Sequence, residues 1–133
     1  MGYNDLKKSW IFPGQASQFV GMGKDLFDST DVGKKYYNLA NDILEVDIQD
    51  ISFNGPEEKL KITKYTQPAI FIVSSVISHL LIENRHVPGC VAGHSLGEYS
   101  ALTAAGGISF ETGLELVKIC LLYTSDAADE HSW

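Results

Sequence analysis

The chain has 133 residues, a net charge of −7 and a hydrophobic fraction of 44%. This length suits one small domain, and the hydrophobic fraction excludes a disordered chain. The acidic charge argues against a general nucleic-acid-binding protein, which needs a basic face to neutralise phosphates. The two cysteines, Cys90 and Cys120, are isolated and form neither a metal-binding nor a redox spacing. We therefore expect no metal site.

Targeting to a membrane is not indicated by the sequence. The first eight residues are mostly polar and unlike a signal peptide. The longest apolar segment, residues 69–82, is interrupted by three serines and a histidine. We interpret this segment as too short and too polar to span a bilayer. The expected protein is cytoplasmic and binds neither a membrane nor nucleic acid.

The first predicted element is a strand that ends at Phe12 in a Pro-Gly turn. A polar loop follows over residues 16–23 and contains Gly21 and Gly23. Parallel sheets bind ligands in the loops at the carboxyl ends of their strands. The backbone N–H of Gln15, at the start of this loop, is therefore a candidate donor to an oxyanion.

Two helices are predicted in the next part of the chain. Asp31 is the expected N-cap of the first, which has apolar residues at helical spacing: Val32, Tyr36, Leu39, Ala40, Ile43 and Leu44. A turn at 54–56 and a short charged segment follow. Thr66 is then the expected N-cap of a second helix, with Pro68 in its first turn. Because this helix is apolar around most of its circumference, we expect it to be buried against the sheet.

A G-x-S-x-G pattern occupies residues 93–97, between a predicted buried strand at 89–92 and a predicted helix at 98–105. A serine on such a strand-to-helix turn has an exposed hydroxyl, and the glycines allow strained, close-packed backbone. The pattern predicts that Ser95 is a nucleophile and that the Leu96 N–H donates to an oxyanion. Gly106 and Gly107 are expected to end the helix, and Ser109 to cap a further helix through Lys118.

Four motifs occur together in this chain and in this order: Phe12-Pro13-Gly14-Gln15-Ala16-Ser17-Gln18, Gly21-Met22-Gly23, Thr66-Gln67-Pro68-Ala69, and the serine motif continued to Leu102. Over residues 9–119 the chain resembles the malonyl-CoA:acyl-carrier-protein transacylases, which include the acyltransferase domains of polyketide synthases. The resemblance implies the N-terminal part of an α/β-hydrolase-like acyltransferase domain with a parallel sheet, without the family's ferredoxin-like subdomain. Ala16 replaces the family's usual glycine, and we expect its methyl group to be tolerated at a negative φ.

The resemblance also implies an activity and roles for particular residues. A malonyl group would pass from malonyl-CoA to acyl-carrier protein through an ester on Ser95. Gln15 and Leu96 would form the oxyanion hole. Gln67 and His94 are the candidate substrate-binding residues. Gln67 would line the pocket or only support the start of its helix, and His94 would pack against the site or orient it rather than act as a base. Coenzyme A is the leaving group, so no cofactor or metal is expected.

Two parts of the family's site are missing from the matched residues. The family's general-base histidine lies well downstream of the serine, and the position of its malonate-binding arginine holds Cys120. From that residue onward the chain resembles the translation of a transposon-type sequencing adapter. We therefore expect residues 1–119 to be native and residues 120–133 to be a non-native tail that contains His131. The chain alone is expected to be inactive, and its acyl-group preference and pathway stay open.

Two other functions are compatible with parts of this sequence. A serine esterase of the α/β-hydrolase type shares the serine motif, but it does not explain the motifs around Gln15 and Met22. A non-catalytic binding module would keep the fold and lack a base. The residues that follow Ile119 in the gene discriminate among the three hypotheses.

Overall fold

A computed structural model describes residues 3–130 of the chain, and the side chains of residues 7–122. His131, the only histidine after the serine motif, lies outside the described residues. Two strands and seven helices follow one another in this part of the chain: β1 (Tyr3–Phe12), α1 (Lys24–Ser29), α2 (Asp31–Leu44), α3 (Ile48–Asn54), α4 (Glu57–Leu60), α5 (Thr63–Glu83), β2 (His86–Gly93), α6 (Gly97–Ala104) and α7 (Phe110–Glu130).

The two strands form a parallel pair, in which Trp10 lies opposite Val91 and Phe12 lies opposite Gly93. The register shifts between Asp5 and Ser9. Parallel strands require a crossover connection, and helices α1 to α5 supply it here. The α/β fold class and the parallel sheet predicted from the sequence are confirmed.

The core lies among the helices. Its fully buried members include Tyr37 on α2, Phe71 and Val76 on α5, and Leu114 on α7. Helix α5 is the centre of this layer, because it contacts α2, α3, α6 and α7 as well as β2. The prediction that this apolar helix packs against the sheet therefore accounts for only part of its surface, and other helices cover the rest.

Helix α5 is long and apolar enough, by length and composition, to cross a membrane. It extends from Thr63 to Glu83, so the expectation of a shorter and more polar segment was wrong. In the fold, 56% of its most apolar window is buried by protein. Burial by surrounding protein is typical of a core helix, which is apolar around its circumference because other elements pack against it on several sides.

Two predicted helix starts differ from the structure. Helix α2 is capped by Thr30 rather than Asp31, since Thr30 has extended backbone and its Oγ1 accepts a hydrogen bond from the Gly33 N–H at 2.9 Å. Helix α5 begins at Thr63, one turn before the predicted cap Thr66. The Thr66 hydroxyl donates to the carbonyl oxygens of Leu60 and Ile62. It therefore acts as a donor inside the helix, and not as an N-cap that accepts from a backbone N–H.

Strand β2 is not buried as the sequence predicted. Cys90 and Ala92 are exposed, and Ile11 on the neighbouring β1 is 79% exposed. The reason is that the sheet has only two strands within the described residues, and its outer face is not covered there. An apolar groove of 640 Å³ runs between β1 and α5, and Trp10, Phe12, Val73 and Ile77 are among its lining residues.

The helix after the serine motif ends as predicted, with Gly106 at a positive φ of 80°. Ser109 caps α7, because its Oγ accepts a hydrogen bond from the Thr112 N–H at 3.1 Å. Helix α7 continues past the predicted end at Lys118 and runs to Glu130. It crosses the proposed boundary between residues 119 and 120 without a break, and that boundary stays a prediction.

Candidate active site

The turn that carries Ser95 joins the end of β2 to the start of α6. Ser95 has φ of 56°, a left-handed conformation that is uncommon for a residue with a side chain. The turn is closed by two backbone hydrogen bonds of 3.0 Å, from the Gly97 N–H to the His94 oxygen and from the Glu98 N–H to the Ser95 oxygen. Ser95 is exposed at this turn. The conformation is that of a nucleophile elbow, in which strain holds the serine hydroxyl outward.

Both glycines of the serine motif are required by close backbone contacts. A Cβ atom on Gly93 would lie 2.0 Å from the carbonyl group of Gly97, and one on Gly97 would lie 2.1 Å from the carbonyl oxygen of Phe12. No real Cβ approaches backbone so closely. The prediction that the glycines admit neighbouring backbone is confirmed.

The loop after β1 lies directly against this turn. The His94 N–H donates to the Phe12 oxygen over 3.2 Å, and a Cβ on Gly14 would lie 2.7 Å from the His94 oxygen. Since β1 and β2 are parallel and Phe12 lies opposite Gly93, both loops leave the same edge of the sheet. The structure therefore brings Gln15 and Ser95 to the same edge, as ligand sites of parallel sheets require.

The proposed oxyanion donors, the backbone N–H groups of Gln15 and Leu96, are not used in hydrogen bonds within the described residues. Leu96 itself is 3% exposed, which anchors the turn in the core. Both residues lie at the edge of the sheet where the Ser95 turn begins, and their role as oxyanion donors stays a prediction.

Gln15 and Gln67 meet through their side chains. The Gln67 Nε2 donates to the Gln15 Oε1 at 3.5 Å, and the Gln15 Nε2 donates to the Thr63 Oγ1 at 3.1 Å. The sequence reasoning placed Gln67 beside the substrate but missed Thr63. The signal was present, because residues four apart on a helix lie on one face, as Thr63 and Gln67 do.

Ala16 has φ of 91°, so the expectation of a negative φ was wrong. The loop forces this conformation, because the Ala16 N–H bonds to the Gln18 Oε1 at 2.8 Å while Gly14 is fixed against His94. A methyl group in this region is strained, which agrees with the family's usual glycine at the position.

No imidazole contacts Ser95 among the described residues. The Nδ1 atom of His94 lies toward Gly14, 3.6 Å from where a Cβ on that residue would be. The Nδ1 atom of His79 is 2.9 Å from the Tyr36 hydroxyl on α2, so that histidine is occupied elsewhere. The structure therefore shows the turn that carries Ser95, while the roles of Ser95, Gln15 and Leu96 stay predictions and no base beside Ser95 is found among the described residues.

Cys120 lies on α7 at the position expected for the arginine. Its Sγ is 2.8 Å from the Tyr99 hydroxyl on α6. The hydrogen bond to this thiol, with burial and the charge of Glu98, raises the pKa of Tyr99 above its usual value. A thiol in this contact offers no bidentate cation to a substrate carboxylate.

A strained serine between a parallel strand and a helix, with a second strand's loop beside it, defines the class of α/β proteins that have a nucleophile elbow. The particular family follows from comparison. The family model for the acyl transferase domain matches residues 9–123, and the chain belongs to this family.

Named relatives agree with this assignment. The chain is 47% identical over 113 residues to the malonyl-CoA-acyl carrier protein transacylase of Synechocystis, covering 85% of this chain and 38% of the relative. It is 43% identical over 111 residues to a polyketide biosynthesis malonyl-CoA-acyl carrier protein transacylase of Bacillus subtilis, covering 83% and 38%. The family resemblance predicted from the motifs is confirmed. The chain spans less than two fifths of the length of these relatives.

Solved structures show the same fold. The crystal structure of the Synechocystis transacylase superposes with a TM-score of 0.79 at 47% identity, covering 83% of this chain and 37% of that one. A malonyl-transacylase in complex with its type II polyketide synthase acyl-carrier protein gives a TM-score of 0.78 at 41% identity, covering 84% and 36%. The described fold of this chain therefore corresponds to one part of the larger domain seen in those structures.

Proposed function

We propose that this chain, as part of a complete acyltransferase domain, transfers a malonyl group from malonyl-CoA to acyl-carrier protein through an ester on Ser95. The observation that carries the proposal is the strained serine turn, with Ser95 at φ 56° beside the Gln15 loop. The names of the relatives supply the acyl group and the carrier.

In the first half-reaction, the Ser95 Oγ attacks the thioester carbonyl carbon and its proton passes to the general base. The backbone N–H groups of Leu96 and Gln15 donate to the resulting oxyanion. The carbon–sulfur bond then breaks, and coenzyme A leaves after its sulfur takes up the proton. A malonyl ester remains on Ser95.

In the second half-reaction, the pantetheine thiol of the carrier protein attacks the ester carbonyl carbon. The proton of this thiol passes to the general base, the same oxyanion donors act again, the carbon–oxygen bond breaks, and the base delivers that proton to the Ser95 Oγ. The two halves form a ping-pong exchange that requires no metal and no bound cofactor. Gln67 and His94 are the residues we expect beside the acyl group.

The expected partners are malonyl-CoA and an acidic carrier protein in the cytoplasm. The acidic net charge of −7 disfavours binding to nucleic acid. The one helix within the described residues that is both long and apolar enough to cross a membrane, α5, forms part of the core. A local lysine patch is enough to attract an acidic carrier despite the overall charge.

The chain by itself is expected to show negligible malonyl transfer. A serine without its base is a poor nucleophile, and residual catalysis then depends on the oxyanion hole and binding alone. Transfer from malonyl-CoA to acyl-carrier protein measures this. Turnover comparable to that of a complete transacylase would show that the chain contains its own base.

The nucleophile is tested in a completed chain, in which residues 1–119 are continued from an arginine by the remaining residues of the Synechocystis transacylase. With malonyl-CoA, we expect a malonyl adduct on the peptide that contains residues 93–98, detected by mass spectrometry. Ser95→Ala should abolish it, whereas Ser17→Ala, on the neighbouring loop, should keep it. An adduct that persists in Ser95→Ala identifies another nucleophile.

The same completed chain separates transfer from hydrolysis. A malonyl ester that exchanges with a carrier-protein thiol supports the transacylase. An ester that is lost only to water supports the esterase. Replacing the introduced arginine with alanine should weaken the preference for malonyl over acetyl, because the free carboxylate loses its bidentate partner.

A further inference from the structure

Both polar atoms of the Gln15 side-chain amide are hydrogen-bonded, although the residue is exposed. Its Nε2 donates to the Thr63 Oγ1 at 3.1 Å, and its Oε1 accepts from the Gln67 Nε2 at 3.5 Å. The first bond is the shorter and the better formed. Water can satisfy the amide of an exposed loop glutamine, so two protein partners indicate that this side chain is held in one position.

Both partners belong to a rigid part of the molecule. Thr63 and Gln67 lie four residues apart on the first turns of α5, where Thr66, Pro68 and Ala69 are buried in the core. A hydrogen bond to this helix therefore ties the loop that carries Gln15 to a buried element of the fold. Through this hydrogen bond, Gln15 is attached to the same core in which Leu96 is buried.

The loop around Gln15 is strained and needs such a connection. Ala16 has φ of 91°, and Gly14 packs against the His94 oxygen with no space for a side chain. Strained backbone persists only where surrounding contacts determine it. The peptide between Gly14 and Gln15, which sets the direction of the Gln15 N–H, is flanked by these two constraints and by the bond to Thr63.

We propose that Thr63 is a positioning residue of the oxyanion hole, whose hydroxyl holds Gln15 so that its backbone N–H acts together with that of Leu96. The inference rests on the proposed function. Thr63 touches neither the acyl group nor Ser95, and its effect is transmitted through one hydrogen bond to the Gln15 side chain.

The kinetic consequence follows from when an oxyanion hole acts. Its donors bind the transition state more strongly than the substrate, so their misplacement lowers kcat and leaves KM nearly unchanged. Complete loss of one donor costs about 10²–10³-fold in kcat. Loss of one of the two bonds that hold Gln15 should cost less, about tenfold.

The first test measures kcat and KM of the completed chain with Thr63→Val and Thr63→Ser. Valine keeps the shape and removes the hydroxyl, whereas serine keeps the hydroxyl and should restore kcat. Thr112→Val is the matched control, since it removes a comparable hydroxyl contact of 3.0 Å between Thr112 on α7 and the cap residue Ser109. The proposal fails if Thr63→Val behaves as Thr112→Val does, or if only KM changes.

The second test needs no catalysis and uses the chain as it is. The chain has only four glutamines, so selective ¹⁵N-glutamine labelling gives a simple amide spectrum. Thr63→Val should shift both the backbone and the side-chain amide signals of Gln15, while Thr63→Ser and Thr112→Val should not. Unchanged Gln15 signals in Thr63→Val overturn the proposal. An inactive completed chain with shifted signals instead refutes the proposed function and leaves the role of Thr63 in holding Gln15 established.

Discussion

Phe71 and Ile11 are both large apolar residues, but Phe71 on α5 is completely buried whereas Ile11 on β1 is 79% exposed. The contrast extends to their surroundings. Phe71 stacks on Phe110 with ring centroids 5.6 Å apart, inside a core cluster to which α2, α3, α4, α5 and α7 contribute buried residues. Within the described residues the sheet around Ile11 has two strands, and an apolar groove that Ile11 helps to line runs beside it.

The difference teaches which part of the fold is self-sufficient. Helices close their own core within the described residues, but a parallel sheet in an α/β domain is normally covered on both faces. Relatives of this chain are more than twice as long, and we expect their additional residues to cover the sheet. The serine turn lies at the junction of the two regions, anchored on one side and open on the other.

The largest effect should separate the two regions directly. Phe71→Ala removes a fully buried ring and should lower the free energy of unfolding by about 3–5 kcal/mol. Ile11→Ala removes an exposed side chain and should change it by no more than about 0.5 kcal/mol. Guanidinium denaturation measures both. Equal losses would show that Ile11 is covered in solution, for example by a second copy of the chain.

A smaller effect is expected at the junction. Gly97→Ala places a Cβ 2.1 Å from the Phe12 oxygen, and because backbone cannot move aside easily the cost should be about 3 kcal/mol. Gly106→Ala is the control, since its φ is 80° but no atom lies within 4 Å of the new Cβ. That change should cost about 1 kcal/mol, from strain alone. Similar values for the two would indicate that the turn adapts by moving.

Among the described residues, Tyr37 carries one of four buried side-chain hydroxyls that lack a hydrogen-bond partner, the others being those of Ser52, Ser75 and Ser100. Removing an unsatisfied buried group is favourable, so Tyr37→Phe should raise the free energy of unfolding by about 1 kcal/mol at pH 7. Tyr36→Phe is the control and should lower it by about 1 kcal/mol, because the Tyr36 hydroxyl is bonded to His79.

The same tyrosine predicts a pH dependence. Burial, with a contribution from Asp25, raises the pKa of Tyr37 well above its usual value of 10.0. Above pH ~10 the unfolded chain loses this proton while the folded chain keeps it, so the folded state is destabilised as the pH rises. Tyr37→Phe should reduce this loss of stability between pH 9 and pH 11 (about one unit either side of the unfolded pKa). An unchanged pH profile would mean that the hydroxyl is solvated.

The smallest effect is expected in the loop at the open edge. Ala16→Gly relieves a residue at φ 91° and should raise the free energy of unfolding by about 1 kcal/mol. Ala105→Gly is the control, because Ala105 has an ordinary φ of −74°, and the change should lower stability by about 0.5 kcal/mol. A loss of stability in both variants would show that the Ala16 methyl group makes a contact that offsets its strain.

Much of the candidate site was predictable because it depends on neighbours in the chain. A small-residue turn around Ser95, between a strand and a helix, follows from the spacing of five residues, and the structure shows that turn. The parallel pairing of the two strands follows from the helices between them. Apolar spacing likewise located α2 and its buried Ala40, but the predicted face named Tyr36 and missed Tyr37, which is completely buried.

Contacts between distant parts of the chain decided the rest. Thr63 reaches Gln15 across 48 residues. Helical spacing shows that Thr63 shares a face with Gln67, but it does not show which loop meets that face. The positive φ of Ala16 depends on how its loop is fixed against His94, and the exposure of Cys90 depends on how many strands complete the sheet. Local spacing encodes backbone form because sterics and hydrogen bonding act over a few residues. Burial, strain and side-chain partnership arise only when separate elements pack, so they belong to the tertiary structure.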